Sequence, residues 1–221
     1  MYELLNDPLT TSLISRSGKN NRIVVGVPHH APLGTHKLPT LNKRSADENA
    51  GLVGIKLAKI LDCSFIIACN YSFDVNKFRG SDYFRIIKHW QPQILIEIHG
   101  HGNGNAKYDI EISSGNIERN YLAQLLAENL NSINSFHPDL AKYSISGDFQ
   151  KIYFQATASK TINTDEWLSL HIELPLTLRK PCSGTDKTAN NLSDLFCYNL
   201  AESLKKIFES NNLNLGENYA V

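Results

Sequence analysis

The order of apolar segments along this chain predicts an α/β fold, a three-layer sandwich around a central, mostly parallel mixed sheet. Short apolar runs that suit strands alternate with longer segments whose apolar residues recur at helical spacing. Such alternation is typical of helices that pack on both faces of a largely parallel sheet. The chain has 221 residues, which suits one domain with a substantial core. We therefore expect a single domain over residues 1–221, in which the polar segment 1–21 is a flexible lead-in.

The predicted elements follow one another in a regular order. In the first half they are strand 22–27, loop 28–45, helix 47–61, strand 64–69, polar loop 70–79 and helix 81–89. In the second half they are strand 94–99, glycine-rich turn 100–105, strand 108–112, helix 118–130, strands 151–155 and 168–174, and helix 192–209. The first helix places Val53, Leu57 and Ile60 on one face, with Ser45 or Asp47 as its N-cap. The strand at 94–99 is apolar, as expected of a strand that a sheet buries on both faces.

Composition excludes several classes of partner. Lysine and arginine together number 22, as do aspartate and glutamate, so the formal net charge is zero. Nucleic acids and acidic membrane surfaces both require a basic excess, and neither is an expected partner. The four cysteines include no closely spaced pair, which favours buried free thiols. Polar residues stand where a signal peptide would be apolar, and no run approaches the roughly 18 apolar residues of a membrane span. We therefore expect a cytoplasmic protein.

Histidines and a glutamate stand at the ends of three predicted strands. His29 and His30 follow the first strand, His99 ends the third, and Glu173 lies in the last. In parallel α/β sheets the active site forms at the carboxyl ends of the strands, so we expect these side chains to meet there. A carboxylate pair, Asp47-Glu48, comes after the loop that follows the first strand.

Two histidines, a carboxylate ligand and a further glutamate are the components of a catalytic zinc site. Such a site has three protein ligands, an open position for water, and a carboxylate that accepts the proton of that water. We assign His29, Glu48 and His99 as the ligands of one Zn²⁺ and Glu173 as the catalytic acid/base. Adjacent residues in extended backbone point to opposite faces, so only one of His29 and His30 is expected to ligate, and spacing leaves both open. Asp47 is likewise an alternative to Glu48.

Other polar residues near these strand ends are candidates for supporting roles. Glu97 is the alternative to Glu173 as general base, because it lies on the same strand face as His99. His101 is a candidate for binding substrate or stabilising the oxyanion, since it follows the ligand histidine closely. Arg179 comes soon after the Glu173 strand and is a candidate for binding a substrate anion.

Several motifs resemble those of the N-formylglutamate amidohydrolase family, in the family's order over about residues 23–101. Val27-Pro-His-His-Ala-Pro-Leu-Gly-Thr35 resembles its Pro-His-x-Gly opening, and Ala46-Asp-Glu-Asn-Ala-Gly51 is similar to its acidic helix start. Phe73-Asp-Val-Asn-Lys77 resembles its Asp-Leu-Asn-Arg, and Ile96-Glu-Ile-His99-Gly resembles the strand with its second zinc histidine. The wider group of zinc carboxypeptidases and aspartoacylases has a catalytic glutamate on a late strand, which His171-Ile-Glu173-Leu resembles.

This resemblance implies a hydrolase fold of the zinc-exopeptidase type, related to the phosphorylase/hydrolase-like sandwiches. It implies zinc-dependent cleavage of a C–N amide bond in a small, carboxylate-bearing N-acyl amino acid. Asn76 and Lys77 would then hold the substrate carboxylate. Lys77 stands where the family has arginine and cannot make the same planar, two-pronged contact, so Arg79 is a candidate substitute.

Two other functions are compatible with the same residues. One is a carboxypeptidase-like exopeptidase, and the other is a metal-binding module that keeps the fold but has lost turnover. The presence of Glu173 argues against the module, because a site without turnover has no need of the base. In the two enzymatic interpretations, the expected partner is a small molecule or a short peptide.

Overall fold

A computed structural model describes residues 2–35, 37–38, 45–102, 104–180 and 187–210. Its strands are β1 (Ser12–Arg16), β2 (Asn20–Ala31), β3 (Asp47–Glu48), β4 (Cys63–Cys69), β5 (Ile94–His101), β6 (Ile110–Ser113), β7 (Ile145–Ser146) and β8 (Leu168–Pro175). They form one sheet in the order β1-β4-β2-β5-β8-β6-β7, with β3 beside β2. Strand β1 is antiparallel to β4 and β6 to β8, whereas the other neighbours are parallel. The predicted mixed, mostly parallel sheet is confirmed.

Helices cover both faces of this sheet. They are α1 (Tyr2–Leu5), α2 (Ala50–Ile60), α3 (Asp82–Trp90), α4 (Tyr121–Asn134), α5 (Pro138–Ala141), α6 (Leu176–Arg179) and α7 (Lys187–Ser210), with a 3₁₀ turn at Val75–Lys77. On one face, apolar strand residues pack in a large core with α2, α4 and α7. On the other, a smaller core joins strand residues to Tyr83 and Phe84 of α3. The three predicted layers are therefore present. Within the described ranges, no helix has the length and hydropathy needed to cross a membrane.

Strand β5 shows how the sheet separates core from site. Its isoleucines, Ile94, Ile96 and Ile98, belong to the large core. The alternate positions face the opposite side, because successive strand residues point to opposite faces. On that side Leu95 joins the smaller core, and the next alternate residues are Glu97 and His99. The smaller core thus gives way to buried polar side chains toward the carboxyl end of the strand.

The Asp47–Glu48 pair differs from the sequence prediction, in which it opens a helix. It forms strand β3, in which Asp47 pairs with His30 and Glu48 with Ala31. Helix α2 begins only at Ala50, so neither Ser45 nor Asp47 is its N-cap. The intervening Asn49 has a φ of 59°, a left-handed conformation that turns the chain out of the strand. Parallel pairing therefore holds Asp47 beside the end of β2.

Two further segments also differ from their predicted structure. Within the predicted lead-in, β1 is an ordered edge strand, and the Asn70 amide donates to the carbonyl oxygens of Asp7 and Thr10. Residues 151–155 form turns and no strand. The backbone N–H groups of Tyr153 and Phe154 donate to the Glu111 carboxylate, so they do not contribute to the sheet.

Candidate metal centre and active site

The cluster at the carboxyl ends of β2, β3 and β5 consists of His29, Asp47 and His99. One carboxylate oxygen, Asp47 Oδ2, lies 3.4 Å from His29 Nδ1 and 3.1 Å from His99 Nδ1. One ligand atom from each of the three residues lies within 4.8 Å of the others. All three side chains are buried. The β2–β3 pairing and the β2–β5 pairing place these residues on adjacent strands, although they are far apart in sequence.

Each of these histidines also faces a second carboxylate through its other ring nitrogen. His29 Nε2 lies 3.3 Å from Asp74 Oδ1, and His99 Nε2 lies 3.4 Å from Glu97 Oε2. A carboxylate that accepts the second N–H of a ligand histidine fixes the tautomer and the orientation of the ring. Here both rings are oriented so that Nδ1 faces the shared Asp47 oxygen.

His30 has a structural role. Its Nδ1 accepts a hydrogen bond from the Gly51 N–H at 3.1 Å, which leaves Nε2 as the protonated nitrogen. Nε2 donates to the Leu5 carbonyl oxygen at 2.9 Å and so ties the N-terminal helix to the sheet. Burial lowers the pKa of His30 to about 4, so the ring is neutral. His30 is therefore engaged away from the cluster, and the ring that faces Asp47 and His99 is that of His29.

Glu48 lies beside the cluster without joining it. Its Oε2 accepts a hydrogen bond from the Gly34 N–H at 3.0 Å, and its residue pairs with Ala31 in the sheet. Glu48 borders the same cavity as Asp47, but its carboxylate is not among the ligand atoms that converge with those of His29 and His99. The carboxylate between the two histidines is that of Asp47, the alternative that the sequence left open.

Glu97 is held by a buried hydrogen-bond network. Its Oε1 accepts from the Tyr83 hydroxyl at 3.1 Å and from Thr161 Oγ1 at 2.7 Å, while Oε2 faces His99. Gly26 allows the Tyr83 contact, because a Cβ at this position would lie 2.2 Å from the Tyr83 hydroxyl. Glu97 is fully buried and does not border the cavity described below. These contacts are more typical of a residue that orients His99 than of a general base that contacts substrate.

Glu173 is next to the cluster on β8, in register with His99. His171 Nε2 lies 3.1 Å from Glu173 Oε1, and no described group hydrogen-bonds to the buried Oε2. No role was predicted for His171 from sequence, although alternation places it on the same strand face as Glu173. Its ring also lies over His99, with centroids 4.1 Å apart. Glu173 therefore has one oxygen held by His171 and one without a hydrogen-bond partner among the described residues.

The electrostatics of the cluster favour charged side chains. Burial raises the pKa of Asp47, but hydrogen bonds and charge interactions with His29 and His99 outweigh burial and hold it well below its ordinary value. Burial lowers the pKa of His99, but hydrogen bonds to Asp47 and Glu97 outweigh it and raise the pKa to about 10. Burial also raises the pKa of Glu173, and the opposing effects of His171 and His99 leave it below its ordinary value. These carboxylates are thus ionised, and their negative charge favours positively charged groups beside them.

This donor set fits a zinc ion. Two imidazole nitrogens and one carboxylate oxygen form one of the three-ligand sets of catalytic zinc sites, which leave a position open for water or substrate. The three atoms already converge on one another from separate strands, and each histidine has a carboxylate on its outer nitrogen. A second group, Glu97, His99 and His171, also has the residue types of a metal site. Its Glu97 is engaged by Tyr83 and Thr161, so we favour the first group.

A cavity of about 880 Å³ opens beside these residues. It is bordered by Asp47, His99, Glu173 and four of the residues expected to bind substrate: Asn76, Lys77, His101 and Arg179. The buried Asn76 Oδ1 has no hydrogen-bond partner among the described residues, and Lys77 Nζ lies 2.9 Å from Asp74 Oδ2. Arg79 is exposed and does not border the cavity.

His101 and Arg179 mainly stabilise the cavity wall. His101 Nε2 lies 2.9 Å from the Asp109 carbonyl oxygen, which can only accept, so Nε2 is the donor. Arg179 donates to the carbonyl oxygens of Leu174, Glu48 and His101, and thereby joins the ends of three strands. Its guanidinium lies against Gly100, where a Cβ would be 2.1 Å from Arg179 Cζ. The glycine therefore permits this contact.

Comparison with known proteins identifies the class of fold. No protein-family model matches the chain, and no curated protein sequence matches it either. Among solved structures, a gene product of Agrobacterium tumefaciens has a TM-score of 0.54 at 13% identity, covering 89% of this chain and 94% of that chain. N-formylglutamate amidohydrolase from Ralstonia eutropha has a TM-score of 0.50 at 11% identity, covering 88% and 98%. A bacteriophage poly-gamma-glutamate hydrolase has a TM-score of 0.50 at 10% identity, covering 95% and 94%. The chain shares the fold of these proteins.

Proposed function

We propose that this protein is a zinc-dependent amidohydrolase that cleaves a C–N amide bond, with His29, Asp47 and His99 as the metal ligands. One observation carries the proposal: Asp47 Oδ2 lies within 3.4 Å of the Nδ1 atoms of two histidines, beside a glutamate with one unpartnered oxygen. Fold neighbours include an amidohydrolase and a poly-gamma-glutamate hydrolase, which agrees with this class of reaction. When bound, zinc supplies a Lewis acid that polarises the amide carbonyl and acidifies water.

Glu173 is the proposed proton-transfer group. Its pKa lies below the ordinary value, so the carboxylate is ionised and can accept a proton from the attacking water through Oε2. Delivery of that proton to the leaving nitrogen completes the cleavage. His171 holds Oε1 and so aims the carboxylate. Asp74 and Glu97 lie 3.3 and 3.4 Å from the outer nitrogens of His29 and His99.

The proposed substrate carries a carboxylate that interacts with Asn76 and Lys77. The Lys77 ammonium supplies charge at the edge of the cavity, and the Asn76 amide offers hydrogen-bonding atoms from a buried position. The Asn76 backbone is rigidly placed, because its carbonyl oxygen accepts from the N–H groups of Lys160 and Thr161. A small N-acyl amino acid, as in N-formylglutamate hydrolysis, satisfies these requirements.

A carboxypeptidase-like exopeptidase is the second candidate, favoured by the size of the cavity. A volume of about 880 Å³ lies in the upper part of the range that encloses drug-sized ligands. A single N-acyl amino acid would occupy only part of it, whereas a short peptide would fill more.

Metal analysis and a substrate panel test both candidates. We expect the purified protein to hold about one zinc ion per chain by elemental mass spectrometry. The panel contains N-formyl and N-acetyl amino acids with acidic and neutral side chains, and short peptides with free or amidated C-termini. Release of free amino groups from the N-acyl amino acids supports the first candidate, and release from peptides alone supports the second. Zinc binding without hydrolysis of any compound would leave the metal-binding module.

A further inference from the structure

Glu111 is a fully buried carboxylate that the proposed reaction does not use. It lies on β6, directly opposite Glu173 on β8. Its Oε1 accepts the backbone N–H groups of Lys107 at 2.6 Å and Tyr108 at 3.2 Å. Its Oε2 accepts those of Tyr153 at 2.9 Å and Phe154 at 2.8 Å. These bonds offset the cost of burying the charge, because a buried charge requires such partners.

The two segments that Glu111 joins form part of the cavity wall. Gly104 and Asn105 border the cavity just before Lys107, and residues 153–159 border it directly. These segments are more than 40 positions apart in sequence, as the 42-residue separation of Glu111 and Tyr153 shows. One carboxylate therefore sets the position of both parts of the wall.

Further side chains hold the backbone that follows Phe154. Ser113 Oγ, on the same strand as Glu111, donates to the Gln155 carbonyl oxygen at 2.7 Å. The Asn163 amide donates to the carbonyl oxygens of Ala156 and Thr157 at 3.3 and 2.8 Å. Ala156 has a φ of 56°, an uncommon conformation for a residue other than glycine, which persists only where surrounding contacts support it.

These contacts leave the wall with a surplus of hydrogen-bond donors. The carbonyl oxygens of residues 155–157 are occupied, whereas the backbone N–H groups of Ala156 and of the exposed Thr157 and Ala158 have no protein acceptor within the described ranges. Such a wall suits a ligand that brings acceptor oxygens, either amide carbonyls or carboxylates.

We propose that Glu111 is a specificity-positioning residue, which holds this wall so that it binds carbonyl or carboxylate oxygens of the substrate. Glu111 acts through the two loops and has no part in proton transfer. The inference rests on the proposed amide hydrolysis, and it extends substrate recognition beyond Asn76 and Lys77. It also accounts for a charged residue at a sheet position where an apolar side chain would otherwise be expected.

The test compares Glu111→Gln with Ser113→Ala and with a control, Asn199→Ala. Glutamine has the size of glutamate, but its amide nitrogen cannot accept the N–H groups that the second oxygen holds. Ser113→Ala frees the Gln155 carbonyl and the Gly115 N–H but leaves the four Glu111 contacts in place, which makes it a milder second variant if Glu111→Gln folds poorly. Asn199→Ala removes a buried hydrogen bond to Asn134, between α7 and α4 on the other face of the sheet.

For Glu111→Gln we expect hydrogen exchange in peptides covering 104–108 and 153–158 to accelerate at least tenfold, with zinc content unchanged. On the best substrate of the panel, KM should rise by about tenfold while kcat changes less than about threefold. Ser113→Ala should show a smaller KM increase, and the control none. Unchanged exchange, loss of zinc, or a fall in kcat at constant KM would each overturn the inference. A wild-type protein that binds zinc but hydrolyses nothing in the panel removes the proposed function, and the substrate role of the wall with it. An equal increase of kcat at unchanged KM in all three variants would refute the role of the wall alone and leave the proposed function standing.

Discussion

Exchange of Asp47 for asparagine is the sharpest test of the metal centre. Asparagine keeps the size of the side chain but removes the charge and replaces one carboxylate oxygen with an amide nitrogen. Asp47 Oδ2 is the atom that faces both Nδ1 atoms, at 3.4 and 3.1 Å, so the substitution removes a proposed ligand and the negative charge between the two rings. Glu48→Gln is the matched control. The Glu48 carboxylate, next to Asp47 in sequence, accepts the Gly34 N–H, and glutamine can still accept that hydrogen bond.

The magnitude follows from the number of ligands. Structural zinc sites bind with roughly 10–16 kcal/mol at pH 7, which is about 2.5–4 kcal/mol for each of four ligand positions. Since about 1.4 kcal/mol corresponds to a tenfold change in affinity, we expect Asp47→Asn to weaken zinc binding by ~10²–10³-fold. Glu48→Gln should change the affinity by less than about threefold, because it alters no proposed ligand.

Competition with a chromophoric zinc chelator gives the dissociation constant of each variant, and circular dichroism establishes that each is folded. Near-normal affinity in Asp47→Asn would exclude Asp47 as a ligand. If Glu48→Gln lost zinc at the same time, the ligand set would be His29, Glu48 and His99, as first assigned from the sequence. Loss of zinc in both variants, with both folded, would indicate that the two carboxylates act together.

Three further predictions concern proton transfer, substrate binding and the thiols. Glu173→Gln should lower kcat by at least ~10² with zinc content unchanged, since it removes the proton acceptor; near-normal kcat would return the base role to Glu97. Lys77→Met should raise KM for carboxylate-bearing substrates much more than for their amides, and equal effects would exclude a specific contact with a carboxylate. Burial raises the pKa of Cys63 to about 12, of Cys69 to about 11 and of Cys197 to about 12. Only the thiolate reacts, so alkylation of these three thiols should be slow at pH 8 and accelerate about tenfold per pH unit up to pH 11. The fourth cysteine, Cys182, lies outside the described ranges. Rapid labelling of all four cysteines in the native protein would refute the burial of the three.

The sequence predicted the sheet and most of its strands because these depend on local pattern. Apolar runs are visible without knowledge of the fold, and parallel strands place their carboxyl ends at one edge. His29, His99 and Glu173 could therefore be placed near one another from sequence alone. Their mutual distances depend on strand order and register, which no local pattern specifies.

The carboxylate ligand shows where this reasoning ends. Helix periodicity made Asp47 and Glu48 look like the start of α2, but pairing with β2 draws both residues into the sheet. That pairing depends on partners at positions 30 and 31, separated from the pair by a loop, so the sequence offered no means of choosing between the two carboxylates. His171 was different, because its two-residue spacing from Glu173 already placed both on one strand face. Glu111 has the same two-residue spacing from Ser113. However, the four N–H groups that donate to it belong to loops whose course is set by the whole fold.

The charges around His99 connect these residues into one functional unit. Asp47, Glu97 and Glu173 are buried carboxylates near a single imidazole, and burial of charge without compensation is unfavourable. Hydrogen bonds to Asp47 and Glu97 favour the protonated ring of His99, so its pKa is raised to about 10 despite burial. A zinc ion held by His29, Asp47 and His99 would supply positive charge to these carboxylates. The surrounding carboxylates would then orient the imidazole rings and leave Glu173 Oε2 as the unpartnered acceptor. The buried charges of this cluster are therefore arranged as the proposed zinc site and the proposed proton transfer from water require.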